Sequence, residues 1–453
     1  MRHAPVFAAA AAAAVFALAV PVRAADVDFT DALLLRDGSP AELTANTLGS
    51  WPALAGRIRF SFQDGGTERA VWLGGNRDPR RTVVQAFDLP VYEIQATFRP
   101  DGGTLSAMEF VLFSRGDVMQ AGAGGGPNAA TVSAAVHDDK AFRSLSGLVQ
   151  RRLEEAFGKH DGPPRKMSRV DGHDQRQFRW KTPAGEAILS VGFTKEKHGF
   201  RGEYVRVAIR PAGPADAAPP PPVSGPRPVA GPNEARITAT RADAAANVVR
   251  EPGGAVYVDN VPMVDQGDKG YCVVATLERL IRYYGGTASQ HELAQLFDTG
   301  DGGGTAIRTD RFVSPEICRQ FGFKQKKVEV EAPDPEKLVK EYNRRAAVKL
   351  KPDKKAKHAD WSGLLAEADR NVLRAAVAET PAGRKFVPAV KPFIDKGIPL
   401  VWIVPGHMRL LTGYDETNGT VFYSDSWGRG HERKTMPVAE AVLLTEALFA
   451  VQP

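Results

Sequence analysis

Cysteine is the scarcest residue in this sequence, with only Cys272 and Cys318 among 453 residues. Two cysteines exclude a disulfide-rich scaffold, and no Cys/His cluster has the spacing of a zinc site. The chain also has no glycine-rich loop followed by Gly-Lys-Ser/Thr, which excludes a nucleotide phosphate loop of that type. We therefore expect no metal and no cofactor.

Strong net charge and long apolar segments are missing as well. The formal net charge is only +6. The basic clusters at residues 324–327 and 349–357 have no interleaved aromatic residues, which favours solvated surface over a nucleic-acid site. After the N-terminal region, no segment is apolar enough to cross a bilayer. The composition, 43% hydrophobic and 25% charged, is ordinary for a soluble globular protein.

The first 24 residues differ from the rest of the chain. Arg2 and His3 precede an apolar run at residues 6–20, and small residues follow at Val22 and Ala24. This order is typical of a secretory signal peptide that is cut after Ala24. We expect residues 1–24 to be removed and the mature protein to be periplasmic or secreted, with no stable membrane insertion.

A proline-rich segment divides the remaining chain. Residues 211–233 contain almost no large apolar side chain, so they predict a linker between a domain at 25–210 and a domain at 234–453. The first domain is predicted to be β-rich α+β with a single amphipathic helix at 141–157. Its predicted strands form two hairpins and one further strand: 91–99 with 104–114, 177–181 with 186–193, and 203–209. The sequence assigns this domain no role.

The second domain is predicted to begin with helices and to end with a small antiparallel sheet, which again makes it α+β. Apolar residues at helical spacing predict a helix over 273–284, which ends at two glycines. Further helices are predicted at 291–297, 315–321 and through much of the charged region 333–382. The predicted strands are 325–330, a central strand at 399–404, and a hairpin of 409–414 with 420–424.

Cys272 stands directly before the first of these helices. A thiolate there is stabilised by the helix dipole and by unpaired backbone donors, so we expect the pKa of this thiol to be lowered. Gly267 and Gly270 allow the backbone to approach a bound substrate. The amide of Gln266 and the backbone N–H of Cys272 are suited to donate hydrogen bonds to a developing oxyanion.

A thiolate nucleophile needs a base, and the base needs an orienting acceptor. His407 lies between two predicted strands, and Asp425 ends the strand that pairs with the one after His407. Closure of the hairpin at Asn418-Gly419 would bring the Asp425 carboxylate beside the imidazole. Trp427 would then shield that hydrogen bond from water.

Two motifs carry a family resemblance. Residues 266–272 read Gln-Gly-Asp-Lys-Gly-Tyr-Cys, and residues 425–428 read Asp-Ser-Trp-Gly. The chain resembles the papain-like cysteine peptidases over roughly residues 261–428. It is most similar to the bacterial branch that contains the double-glycine leader peptidases, through Tyr-Cys, the glycines at 302–304 and an aspartate as the third member of the triad.

The resemblance implies an exported cysteine peptidase that hydrolyses peptide or related amide bonds of a peptide or protein substrate through an acyl-enzyme. Carried over by position, Cys272 is the nucleophile, His407 the base, Asp425 its orienter and Gln266 the oxyanion donor. Three neighbours are expected to support the substrate and the oxyanion: Gly270, Tyr271 and Trp427.

Several alternatives remain open at the level of sequence. Cys272 and Cys318 could form a disulfide instead, and His431 or His291 could replace His407 as the base. The same triad could pass its acyl group to an amine, as a transpeptidase or transglutaminase-like transferase does. The domain could also be an inactive papain-like binding module. Contact between the two domains is possible, and the first domain could inhibit the second.

Overall fold

The structure is a computed structural model of the chain. The described residues are 27–34, 48, 60–63, 69–74, 84–99, 103–122, 128–166, 172–196, 199–212, 237–297, 299, 305, 315–348 and 368–453. The predicted signal peptide, almost all of the predicted linker and the glycines at 302–304 lie outside these residues.

The N-terminal domain, the described residues up to 212, is built around an antiparallel sheet. Eight strands follow the order β2-β3-β6-β7-β11-β10-β9-β8, and a separate three-stranded sheet has the order β1-β4-β5. The strands are β1 Val27–Asp28, β2 Ser61–Phe62, β3 Arg69–Leu73, β4 Val84–Ala86, β5 Leu89–Pro90, β6 Glu93–Phe98, β7 Leu105–Ser114, β8 Arg165–Lys166, β9 His173–Thr182, β10 Gly185–Glu196 and β11 Gly199–Pro211. The helices are α1 Thr30–Leu33, α2 Arg115–Ala121, α3 Ala129–Ala134 and α4 Asp139–Phe157.

Both predicted hairpins of this domain are present, as β6–β7 and β9–β10, and both pairs are antiparallel. Helix α4 covers the predicted amphipathic segment. Asp138 caps its first turn, and its apolar stripe is buried. The prediction of a single helix was wrong, because α1, α2 and α3 accompany α4. Each has seven residues or fewer, which is too short to show a helical period in the sequence.

The C-terminal domain, from residue 237 onward, combines a second antiparallel sheet with most of the helices. Its strands are β12 Val248–Arg250, β13 Ala255–Val258, β14 Lys324–Val328, β15 Leu400–Val404, β16 His407–Asp415, β17 Thr420–Ser424, β18 Lys434–Pro437 and β19 Ala447–Gln452. Its described helices are α5 Arg241–Ala246, α6 Cys272–Tyr283, α7 Gln290–Leu296, α8 Pro315–Phe321, α9 Pro335–Ala346, α10 Arg370–Ala378, α11 Pro381–Ile394 and α12 Val438–Leu444.

The second sheet has the order β12-β13-β16-β15-β19-β14, and β17 and β18 extend it from β16. Strand β15 lies between β16 and β19, which confirms its predicted central position. The prediction of a small sheet after the helices was wrong. Strands β12 and β13 follow only α5 and precede the other described helices of this domain along the chain. They reach the sheet by pairing β13 with β16, a contact across about 160 residues that local patterns do not reveal.

Each domain has its own hydrophobic core. One cluster of buried apolar side chains runs from Val27 to Ile209, and the other from Ala244 to Val451. The chain is therefore mixed α+β, with one large antiparallel sheet in each domain. Across the described residues, no helix is both long and apolar enough to span a membrane.

Candidate active site

Cys272 is the first residue of α6, a helix that is buried along its whole length except for Arg282. Its thiol is mostly buried and is hydrogen-bonded to His407. The backbone N–H groups of Met408 and Val273 also point at the sulfur. Helix α6 therefore presents the thiol to β16 with donors on two sides, which is the environment that favours a thiolate.

His407 is the first residue of β16 and lies opposite Val404 of β15. Its Nε2 lies 3.0 Å from Oδ1 of Asp425. With Nε2 engaged by the carboxylate, Nδ1 is the ring nitrogen that is left for the Cys272 sulfur. Thiol, imidazole and carboxylate thus form a continuous hydrogen-bonded line, in the order predicted from the sequence.

The protonation states along this line are shifted in a consistent way. Burial raises the pKa of the Cys272 thiol, but the hydrogen bond and charge of His407 and the two backbone donors outweigh it, so the pKa lies below its usual value. Burial lowers the pKa of His407, but hydrogen bonds to Asp425 and Cys272 raise it to about 9. Near neutral pH these shifts favour a thiolate–imidazolium pair.

Asp425 directly follows β17, whose pairing with β16 brings the carboxylate to the His407 end of the sheet. The buried guanidinium of Arg279 fixes this segment from α6. It donates to the carbonyl oxygen of Asp425 at 3.0 Å and to the hydroxyl of Ser424 at 2.5 Å. A third bond from Arg279 reaches the carbonyl of Pro262 at 2.8 Å. The same helix therefore holds the Cys272 thiol and the segment that carries the Asp425 carboxylate.

Gln266 is buried and lies in the segment of residues 266–271, which we call the nucleophile loop. Its backbone N–H donates to the carbonyl of Ser426 at 2.9 Å, and its side-chain oxygen accepts from the Ser426 hydroxyl at 2.7 Å. Its Nε2 donates to the carbonyl of Lys269 at 3.3 Å. Since the amide oxygen is held by Ser426, the amide nitrogen is the group that remains for a substrate oxygen.

The three supporting residues have different environments. The ring of Trp427 lies tilted against the ring of His407, with 5.3 Å between centroids, and 50% of the residue is exposed. The carbonyl of Gly270 accepts a hydrogen bond from the backbone N–H of Thr305 at 2.8 Å. The Tyr271 side chain is buried and faces the N-terminal domain, where it meets Gly116.

The structure also locates the residues of the alternative assignments: the second cysteine and the two other candidate histidines. Cys272 and Cys318 both lie in the described part of the chain, and no disulfide joins them. His291 is buried at the start of α7 and contacts Glu93 of the N-terminal domain, at 3.2 Å. His431 does lie near the site, with its Nδ1 3.8 Å from Oδ2 of Asp425, the carboxylate oxygen that His407 does not contact.

Sequence reasoning missed three polar residues around the triad. Arg409 lies 3.4 Å from Asp425 and stacks over the rings of Trp402 and Tyr423. Arg279 and Ser426 hold the backbone and the amide described above. Ser426 could have been noticed inside the Asp-Ser-Trp-Gly motif, but Arg279 looks like any charged residue on a helix until its burial is known.

Comparison with known proteins gives no match: no family model, no curated protein and no solved structure matches this chain. The chemistry of the site is therefore inferred from the geometry of its residues alone. That geometry combines a thiol of lowered pKa, an imidazole in contact with it, a buried carboxylate behind the imidazole and a buried amide donor in the loop that leads to the thiol. Such a constellation is suited to acyl transfer through a thioester.

Proposed function

We propose that this protein is a thiol hydrolase of the papain-like type, which cuts peptide or related amide bonds of a peptide or protein substrate. The observation that carries the proposal is the hydrogen-bonded line from Cys272 through His407 to Asp425, with opposite pKa shifts of the thiol and the imidazole. A helix that carries the thiol against a sheet that carries the base and the carboxylate supports the papain-like assignment of the fold.

In the proposed reaction, the Cys272 thiolate attacks the carbonyl carbon of the scissile bond. Gln266 and the backbone N–H of Cys272 donate to the resulting oxyanion. The imidazolium of His407 gives its proton to the leaving amine, and a thioester with Cys272 remains. Neutral His407 then takes a proton from water, which attacks the thioester and releases the acid, while Asp425 keeps the ring in one orientation.

The test is hydrolysis of a mixed peptide library by the wild-type protein and by Cys272→Ala. We expect the variant to lose hydrolysis, and iodoacetamide to label Cys272 in the wild type at neutral pH. Cys318→Ala is the matched control, because it removes the other thiol and should keep both properties. Unchanged peptide hydrolysis by Cys272→Ala would contradict the proposal. Product ligated to an added amine, without net hydrolysis, would point to acyl transfer instead.

Export belongs to the same proposal. The basic start, the apolar run and Ala24 support removal of residues 1–24 and a periplasmic or secreted mature protein. N-terminal sequencing of the protein from its own cells should begin at Ala25. A chain that still carries its first residues in a soluble cell extract would contradict export.

A further inference from the structure

The side chain of Lys269, in the middle of the nucleophile loop, is bound by the other domain. Its Nζ lies 3.2 Å from Oε2 of Glu93 on β6 and 3.0 Å from Oδ2 of Asp117 in α2. Only 1% of the lysine side chain is exposed. A buried ammonium group is stable only with charged partners, and both of these partners are supplied by the N-terminal domain.

Glu93 connects Lys269 to a wider polar network that crosses the domain boundary. Its carboxylate also contacts His291 at 3.2 Å and accepts from the amide of Gln95 at 2.5 Å. Burial raises the pKa of Glu93, but the charges of Lys269 and His291 reverse this and bring the pKa well below its usual value. Arg69 donates to Gln95 at 2.9 Å and to the carbonyl of Met263 at 2.5 Å, just before the loop.

A close apolar contact lies beside this network. Tyr271 is the residue directly before Cys272, and its ring packs on Gly116 in α2. A β-carbon placed on Gly116 would lie 2.6 Å from atoms of the tyrosine ring, which is too close for any contact. Glycine is therefore required for this approach of α2 to the loop. Lys269 and Tyr271 thus anchor the loop to the same small surface of the N-terminal domain.

The contacts of Lys269 and Tyr271 also affect the position of Gln266, the oxyanion donor, through the main chain of the loop. The carbonyl of Lys269 accepts from the Gln266 amide at 3.3 Å and from the backbone N–H of Tyr271 at 2.7 Å. Without the two carboxylates, the Lys269 ammonium group would have to move toward water, since an unpaired charge is strongly unfavourable in a buried site. Its carbonyl would move with it, and the partner that orients Gln266 would be displaced.

We propose that the N-terminal domain positions the nucleophile loop for catalysis, with Lys269, Glu93 and Asp117 as positioning residues. This inference rests on the proposed thiol hydrolase. Positioning is favoured over inhibition because the domain contacts the loop and α7, whereas the partners of His407 and Asp425 come from the C-terminal domain.

The test uses full-length protein with the double substitution Lys269→Met and Glu93→Gln. One positive and one negative charge are removed together, and Asp117, at the edge of the network, keeps some access to water. We expect kcat for peptide hydrolysis to fall about 10- to 100-fold with KM little changed. Methionine at position 269 makes no ion pair that anchors the loop to Glu93 and Asp117, and displacing the oxyanion donor by about 1 Å costs up to that much. Alkylation of Cys272 by iodoacetamide should stay within about threefold of wild type, since it needs the thiolate but no oxyanion donor.

Two further variants complete the design. Gly116→Ala disturbs the loop through Tyr271 without changing a charge, and it should lower kcat in the same way. Lys391→Met with Glu416→Gln is the matched control. It removes the same pair of charges from an exposed ion pair at the far end of the hairpin and should leave kcat unchanged.

The outcomes separate the two proposals. If the wild-type protein hydrolyses no peptide, the proposed function is wrong, and this inference is wrong as well. Active wild type with unchanged kcat in both interface variants overturns the inference alone, and a raised kcat shows that the domain inhibits. A parallel fall of kcat and alkylation shows a general loss of structure and also overturns specific positioning.

Discussion

One carboxylate organises the charges around the candidate active site. Oδ1 of Asp425 lies 3.0 Å from His407 and 3.4 Å from Arg409, and Oδ2 lies 3.8 Å from His431. Burial raises the pKa of Asp425, but the His407 hydrogen bond and the Arg409 charge outweigh it and keep the pKa below its usual value. Asp425 is therefore ionised at neutral pH and stabilises the protonated form of His407.

The pH dependence of kcat/KM follows from these shifts. The reactive ion pair requires Cys272 to have lost its proton and His407 to have kept one. We expect a bell-shaped profile whose alkaline limb lies near pH 9, where His407 deprotonates, and whose acid limb lies below the usual thiol pKa. The profile should be measured in Cys318→Ala, so that only one thiol titrates. An alkaline limb near pH 6.5 would contradict the stabilised imidazolium.

Asp425→Asn tests the origin of the raised His407 pKa. The amide oxygen can still accept from the imidazole, but the negative charge is gone, so the pKa of His407 should fall. We expect the alkaline limb of kcat/KM to move to lower pH, with a smaller loss of activity than in Asp425→Ala. If the limb does not move in Asp425→Asn, the raised pKa has another source.

At the scale of elements, the turn between α11 and β15 places the central strand. Gly397 has a φ of 72°, and its backbone N–H closes the end of α11 by donating to Ile394 at 2.9 Å. A β-carbon on Gly397 would lie 1.8 Å from the carbonyl oxygen of Ala244. The turn therefore needs glycine for two reasons, the left-handed backbone and the lack of space.

Gly397→Ala should therefore destabilise the protein more than an ordinary substitution at a left-handed glycine. We expect a loss of about 2–5 kcal/mol in unfolding free energy, from backbone strain and overpacking together. Gly419→Ala is the control, because Gly419 has a φ of 60° and open space, so only about 1–2 kcal/mol is expected. Urea denaturation measures both. Equal losses of unfolding free energy in the two variants would show that the contact between the new β-carbon at position 397 and Ala244 is relieved without an energetic cost.

Many of these elements could be predicted because their signals are local. Helix α6 follows from the spacing of its apolar residues, and the β16–β17 hairpin follows from the Asn418-Gly419 turn. Strand β13 was missed because its identity depends on pairing with β16. Arg279 was missed for the same reason, since its partners Pro262 and Asp425 come together only in the folded domain.

At the scale of the whole molecule, the two domains share a polar interface that also includes α7. The guanidinium of Arg206 on β11 is buried and is paired with Glu109 at 2.8 Å and with Glu292 of α7. The amide of Gln295 donates to the carbonyl of Phe193 at 2.8 Å. The charged groups at this interface leave water only when the two domains pack together. The stabilities of the two domains are therefore linked.

Glu292→Gln should weaken this interface. It leaves the N-cap residue Ser289 in place, and the glutamine oxygen can still accept the capping-box hydrogen bond from the Ser289 backbone N–H. We expect a loss of about 1.5–3 kcal/mol in unfolding free energy, because Arg206 stays buried with one charged partner fewer. Amide hydrogens of α7 and of β10 should exchange faster together. Glu341→Gln is the control, since it breaks only solvent-screened ion pairs within one helix and should cost clearly less than Glu292→Gln. Faster exchange in α7 alone would contradict coupling of the domains.

The sequence by itself determined the parts of this protein that depend on neighbours along the chain: helix α6, which begins at Cys272, and the β16–β17 hairpin, which Asp425 follows. Tertiary structure decided which charges are buried and by what they are neutralised. Lys269 looks like a loop lysine in the sequence, yet its carboxylate partners are 176 and 152 residues away. The reason is physical: the cost of burying a charge depends on its partners in space, and only folding brings those partners together.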